Sequence, residues 1–140
     1  MRGFLAAMAF PNAIWAECLP QEDPFLSCRF DNGKAVEVCL TEETARYSFG
    51  RPGQAPELAL TLAFGGGAEF VPWNGVGRDI WEAVRLTNNA ITYEVYGGFD
   101  RMTAADDSVV SHFGGIVVLD AKGVELAHLI CRPETVSYAY

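Results

Sequence analysis

The 140 residues fill one domain, half of them hydrophobic and 20% charged, a balance that excludes wholesale disorder. Eighteen acidic against ten basic residues give a formal charge of −8, which repels phosphate backbones and anionic headgroups. Nucleic acid is therefore an unsuitable partner, and no apolar run approaches the roughly eighteen residues that a membrane-spanning helix needs.

The chain opens on an address. Arg2 is the only charge before Glu17, and residues 3–10 form an eight-residue apolar run. Pro11-Asn12 ends the run, and Ala16 supplies a small residue at a cleavage point. A charged start, a short apolar middle and a small residue at the end predict a secretory signal over 1–16. The mature domain is then 17–140, periplasmic or secreted. Cys18, Cys28, Cys39 and Cys131 all follow the proposed cut. An even cysteine count in a small exported domain predicts two disulfides. No C-x-x-C pair is present to suggest a metal site, and no metal or cofactor is expected.

From residue 26 onward the apolar pattern has period two, which predicts strands rather than helices. Val36, Val38 and Leu40 alternate with Ala35, Glu37 and Cys39; Leu58, Leu60, Leu62 and Phe64 alternate with Ala59, Thr61 and Ala63. Ile91, Tyr93 and Val95 repeat the pattern. Further strands are predicted over 44–49, 68–71, 79–86, 109–112, 116–120 and 124–131. Fourteen glycines and seven prolines, mostly scattered, supply turns between them. Asp31-Asn32-Gly33, Thr87-Asn88-Asn89 and the stretch around Gly123 hold residues that tolerate the positive φ of a hairpin turn. Eight or nine antiparallel strands in this length predict an all-β domain, a meander barrel, with a two-sheet sandwich as the alternative.

The first hairpin allows a finer reading. A three-residue loop at 31–33 sets Phe30 opposite Lys34, Cys28 opposite Val36 and Leu26 opposite Val38. Shifting by one residue would set apolar side chains against Glu37, which a half-buried ladder disfavours. Cys28 then points to the core and Cys39 away from it, so those two do not bond. Two pairings stay open: Cys28–Cys131 with Cys18–Cys39, which a returning last strand favours, and Cys18–Cys28 with Cys39–Cys131.

Catalytic chemistry is sparsely written. His112 and His128 lie in no metal-ligand spacing, and His128 alternates with Leu126 and Ile130 as a strand histidine would. Ser111, His112 and Asp106 share a stretch of chain without making a triad, and no Gly-x-Ser-x-Gly elbow occurs. Gly65-Gly66-Gly67 lacks the Lys-Ser/Thr of a phosphate loop, and Gly75-Val76-Gly77 lacks the third glycine of a dinucleotide fingerprint. Asp100, Asp106 and Asp107 lack the order of a calcium loop and read as a solvated acidic segment.

Binding is better represented. Trp73, Asn74 and Arg78 occupy a glycine-rich loop, and Trp81 follows directly. Aromatic and arginine side chains are the types enriched where proteins grip partners. Tyr96, Phe99 and Arg101 end the next strand and are expected on the same rim. A structural role, with Trp73 plugging a barrel end and Arg78 pairing a carboxylate, is the competing expectation.

Ser27-Cys28-Arg29-Phe30, Gly33-Lys34-Ala35-Val36-Glu37-Val38 and Ala45-Arg46-Tyr47-Ser48-Phe49-Gly50 resemble segments of small exported proteins of Gram-negative bacteria. They also resemble the opening of the membrane-bound inhibitors of chicken-type lysozyme. That resemblance covers about a quarter of the chain and implies a small exported barrel with a cysteine joining first and last strands. The Ser-Gly-x-x-Tyr loop of those inhibitors has no counterpart at Gly75-Val76-Gly77-Arg78, so no inhibitory residue transfers. The expectation is an exported, non-catalytic envelope binding module, directed at a basic protein such as a lysozyme. A small hydrolase using two carboxylates and a purely structural envelope protein are the rivals.

Overall fold

The computed structural model describes residues 17–139; the proposed signal at 1–16 lies outside them. The fold is all-β. In chain order the strands are β1 (Asp23–Arg29), β2 (Ala35–Leu40), β3 (Thr44–Gly50), β4 (Leu58–Phe64) and β5 (Gly67–Val71). They continue as β6 (Asp79–Asn88), β7 (Ile91–Asp100), β8 (His112–Leu119), β9 (Glu125–Ile130) and β10 (Ser137–Tyr138). A 3-10 turn at Pro133–Thr135 is the one helical element described.

All ten strands join one sheet in the order β10-β1-β2-β3-β4-β5-β6-β7-β8-β9, curled into a half-barrel. This corrects the expected closed barrel of eight or nine strands, and among the described residues no second sheet is present for a sandwich. The edges β9 and β10 share no ladder. The reason lies after β9: Pro133 has no N–H to continue a ladder. The chain turns there, and β10 takes the free side of β1, pairing Leu26 with Tyr138 and Ser27 with Ser137. The neighbouring contacts are single hydrogen bonds, Arg132 N–H to Arg29 O at 2.8 Å and Cys131 N–H to Gly114 O at 3.0 Å.

Neighbours are antiparallel except β4 and β5, which run parallel over two residue pairs after the Gly65-Gly66 turn. The first hairpin has the expected register, with Cys28 opposite Val36 and Leu26 opposite Val38. Phe30 N–H closes it onto Lys34 O at 2.8 Å. A bulge between Pro24 and Leu26 turns both Phe25 and Leu26 into the core. The β6–β7 hairpin turns on Asn89 and Ala90, both with positive φ, one residue later than its Asn-Asn signal suggests.

The core lines the inner face of the curl: Leu26, Val36, Val38, Tyr47, Val84, Leu86, Val95 and Ile116 are almost wholly buried. Gly97 on β7 leaves the space that Leu26 and Tyr138 fill, since a Cβ there would stand 2.8 Å from the Tyr138 ring. Two disulfides form, Cys18–Cys39 and Cys28–Cys131. They select one of the two pairings left open by the sequence and are the chemistry of an oxidising compartment. One strand expectation fails. Residues 109–111 are irregular, and β8 starts at His112 and runs through Gly114 and Gly115. Those glycines, which fall between two of the predicted strands, sit in the ladder opposite Gly97 and Tyr96.

Candidate functional site

The β6–β7 register sets Asp79 opposite Asp100, which brings the loop 72–78 beside the loop 101–111. Arg78 donates from Nε to Asp100 Oδ1 at 2.6 Å, and Arg101 N–H reaches Arg78 O at 3.3 Å. The Arg78 guanidinium beside Asp100, helped by the N–H of Met102, lowers the Asp100 carboxyl to about 2. The Arg101 guanidinium carbon lies 5.7 Å from the centre of a Trp73 ring, within cation–π reach. Trp73 is half-buried and donates from Nε1 to Val76 O at 3.3 Å. It lies outside the hydrophobic core cluster, so it plugs no barrel end.

Asn74 serves the loop itself, its side-chain oxygen accepting the Val76 N–H at 3.0 Å. The turn carries Val76 outward at 73% exposure, and Met102 and Val110 project from the facing loop at 69% and 62%. Four carboxylates (Asp79, Asp100, Asp106 and Asp107) accompany two guanidinium groups here. Asp106 turns back on its own loop, accepting from Ser108 Oγ at 2.6 Å, and that bond lowers its pKa. This rim is acidic and apolar at once.

Trp81 leaves the loop. It stands on the outer face of β6, directly opposite Gly98 of β7, which is opposite Phe113 of β8. The next outer row is Val71, Ala83, Tyr96, Gly115 and Ile130; the third is Glu69, Arg85, Glu94, Val117 and His128. The missing Cβ of Gly98 makes room for the Phe113 ring tip, which would otherwise lie 2.6 Å away. Gly115 does the same for the Tyr96 phenol. Both rings thus lie over a neighbouring strand, with centroids 6.5 Å apart. Ala83 is small and almost fully buried among larger neighbours. The result is a shallow cup of about 350 Å³, floored by Ala83 and walled by Val71, Trp81, Tyr96 and Phe113. Asp79, Arg85 and Glu94 form its rim. Arg85 is held sideways, 2.6 Å from Glu94 and 3.7 Å from Glu69.

The structure therefore divides the expected patch. Trp73, Asn74, Arg78 and Arg101 share the loop rim, whereas Trp81 and Tyr96 belong to the outer cup. Phe99 goes to the inner face, 6.4 Å from the Tyr138 ring. His112 packs on Phe99 at 5.6 Å, and His128 is exposed with Nε2 2.7 Å from the Tyr96 hydroxyl. Cys18, Glu37 and Cys39 hold ligand-type atoms close together, but both sulfurs are committed to a disulfide, so no thiolate is present for a metal. A broader, more open depression of about 980 Å³ follows the β4–β5 turn past Phe64, Phe70, Thr87 and Leu119, without a comparable aromatic cluster.

Tyr96 is expected beside Trp81 from the sequence, whereas Phe113 is not, and it completes the cup. The available signal was the pair of double glycines, Gly97-Gly98 and Gly114-Gly115, each next to an aromatic residue on an adjoining strand. Among the described residues no helix is long and apolar enough to cross a membrane. The chain matches no family model, no curated protein and no solved structure.

Proposed function

We propose that the chain is an exported binding module of the envelope, periplasmic or secreted, that captures a basic protein without catalysing a reaction on it. The observation that supports this most directly is the loop rim. There a Trp73–Arg101 stack stands beside the exposed Val76, Met102 and Val110, with acidic groups in excess around them. Apolar tips at the centre of a charged rim give affinity, and the charges set the encounter rate and the choice of partner. A formal charge of −8 draws a cationic partner from a distance and repels an anionic one.

The partner class follows from that charge, and the early resemblance to lysozyme inhibitors makes chicken-type lysozyme the first probe. Immobilised lysozyme should retain the mature domain at low ionic strength and release it as salt rises. The double variant Trp73→Ala, Arg78→Ala should lose retention while keeping its fold. Absence of retention at low salt, or retention unchanged in the double variant, overturns the reading for this partner and this rim respectively.

A further inference from the structure

We propose that the outer cup over Ala83 receives the side chain of a lysine or arginine carried by a basic protein partner. This rests on the reading of the chain as a module for a basic protein and deepens it by naming a second contact and its chemistry.

The cup offers what an alkylated cation needs. Trp81, Tyr96 and Phe113 supply π-surface and Val71 an apolar wall around the Ala83 floor, so an aliphatic stem finds apolar contact on the way in. Ring faces attract a cation within roughly 6 Å of their centres. The Arg101–Trp73 stack is the same chemistry already used inside the chain. Charge decides between occupants. Asp79 and Glu94 stand at the rim with Glu69 behind them, against the single guanidinium of Arg85. Arg85 already lies between Glu94 and Glu69, so its charge is answered twice and the cup keeps an excess of two carboxylates. An anion is repelled there. A neutral apolar group would strip water from the carboxylates with nothing in return. A guanidinium or ammonium on a stem satisfies the rings and the rim together. At about 350 Å³ the cup fits one such side chain rather than a helix or a strand.

The probe is Nα-acetyl-arginine methylamide, titrated into isotopically labelled mature domain and followed by amide and indole shifts. The expected result is a saturable change at the Trp81 indole and at the Gly98 and Gly115 amides, in the millimolar range. The matched glutamate derivative at equal ionic strength should produce none. Ala83→Leu fills the floor and should remove the response. Asp79→Asn, an exposed change that leaves packing alone, should weaken it about threefold and stands in if Ala83→Leu fails to fold. The proposal is overturned if no site saturates, if the glutamate derivative works equally, or if Asp79→Asn and a folded Ala83→Leu leave the response unchanged. Saturation by choline or N-acetylglucosamine at tenfold lower concentration also overturns it and assigns the cup to a free small molecule. The loop variant Trp73→Ala, Arg78→Ala separates the two readings. It should keep the cup response in full, so failure of the rim and failure of the cup are read independently.

Discussion

The hydroxyl of Tyr138 donates to Oε1 of Glu82 at 2.5 Å, tying a two-residue strand at the end of the chain to the middle of β6. Glu82 shares the inner face with Val84 and Leu86, so its carboxylate needs a donor to be tolerated beside the core. The Tyr138 ring also packs edge-on against Phe25, with centroids 5.7 Å apart. Tyr138→Phe removes only the donor and should cost about 1–2 kcal/mol. Tyr138→Ala removes the ring as well and should cost about 3–5 kcal/mol. Urea unfolding of both variants checks the order. Equal losses would mean that the hydroxyl contributes nothing.

The two disulfides should differ in weight. Cys28–Cys131 closes a separation of 103 residues and Cys18–Cys39 one of 21. On the chain-entropy estimate these contribute about 4.7 and about 3.3 kcal/mol. The longer link also ties β1 to the residue that follows β9, whereas β9 itself shares no ladder with β1 and only the two-residue β10 pairs there. Replacing Cys28 and Cys131 by alanine should therefore lower the melting temperature more than replacing Cys18 and Cys39. A reversed order would place the stabilisation in the N-terminal segment instead.

Acid should loosen the fold in a defined window. Glu22 lies under Arg46, 2.7 Å from its Nη2, and that bond lowers its pKa; Arg78 lowers Asp100 to about 2. A carboxyl whose folded pKa lies below its unfolded value adds stability above the unfolded value and loses it as pH falls through the folded one. For Asp100 that window runs from its ordinary 3.8 down to about 2, and Glu22 starts to lose its share just below 4.5. Melting temperatures of wild type, Asp100→Asn and Glu22→Gln between pH 5 and pH 2 (roughly the carboxyl range) should converge toward the acid end. Parallel curves would show that neither pair is linked to folding.

Much of the sheet is legible in the chain because one face is buried. Val36, Val38 and Leu40 cannot slip by one residue without exposing the core, so the hairpin register follows from alternation alone. The same logic reaches Cys28, whose inward position excludes Cys39 as its partner but leaves Cys18 and Cys131 both open, and the structure selects Cys131. It does not reach β10, since two residues are too few to show a period. Nor does it reach the cup. A glycine in the chain reads as a break, and only the cross-strand pairing of Gly98 with Phe113 reveals it as a seat for a ring. Trp73 and Trp81 look like one patch when only eight residues apart are counted, yet a loop turns one to the rim and a strand turns the other to the outer face.

Trp73 provides the sharpest test of the rim. A tryptophan buried in a barrel end costs about 3–5 kcal/mol when cut to alanine. Trp73 is half-buried, stands outside the core cluster, and has Arg101 against its ring and its own loop on its indole nitrogen. Removing it loses one stacked cation and one hydrogen bond in a solvent-facing loop, together about 1 kcal/mol or less. Trp73→Ala should therefore melt within a few degrees of wild type. The same change should abolish retention on a basic partner, since an aromatic anchor at the centre of a rim supplies about 2 kcal/mol or more of affinity. Thermal melts and retention on immobilised lysozyme, measured on the same sample, set the two numbers side by side. A drop of 3 kcal/mol or more (the range for a truncated core tryptophan, about 3–5) would make Trp73 a packing residue and remove the rim as a binding surface.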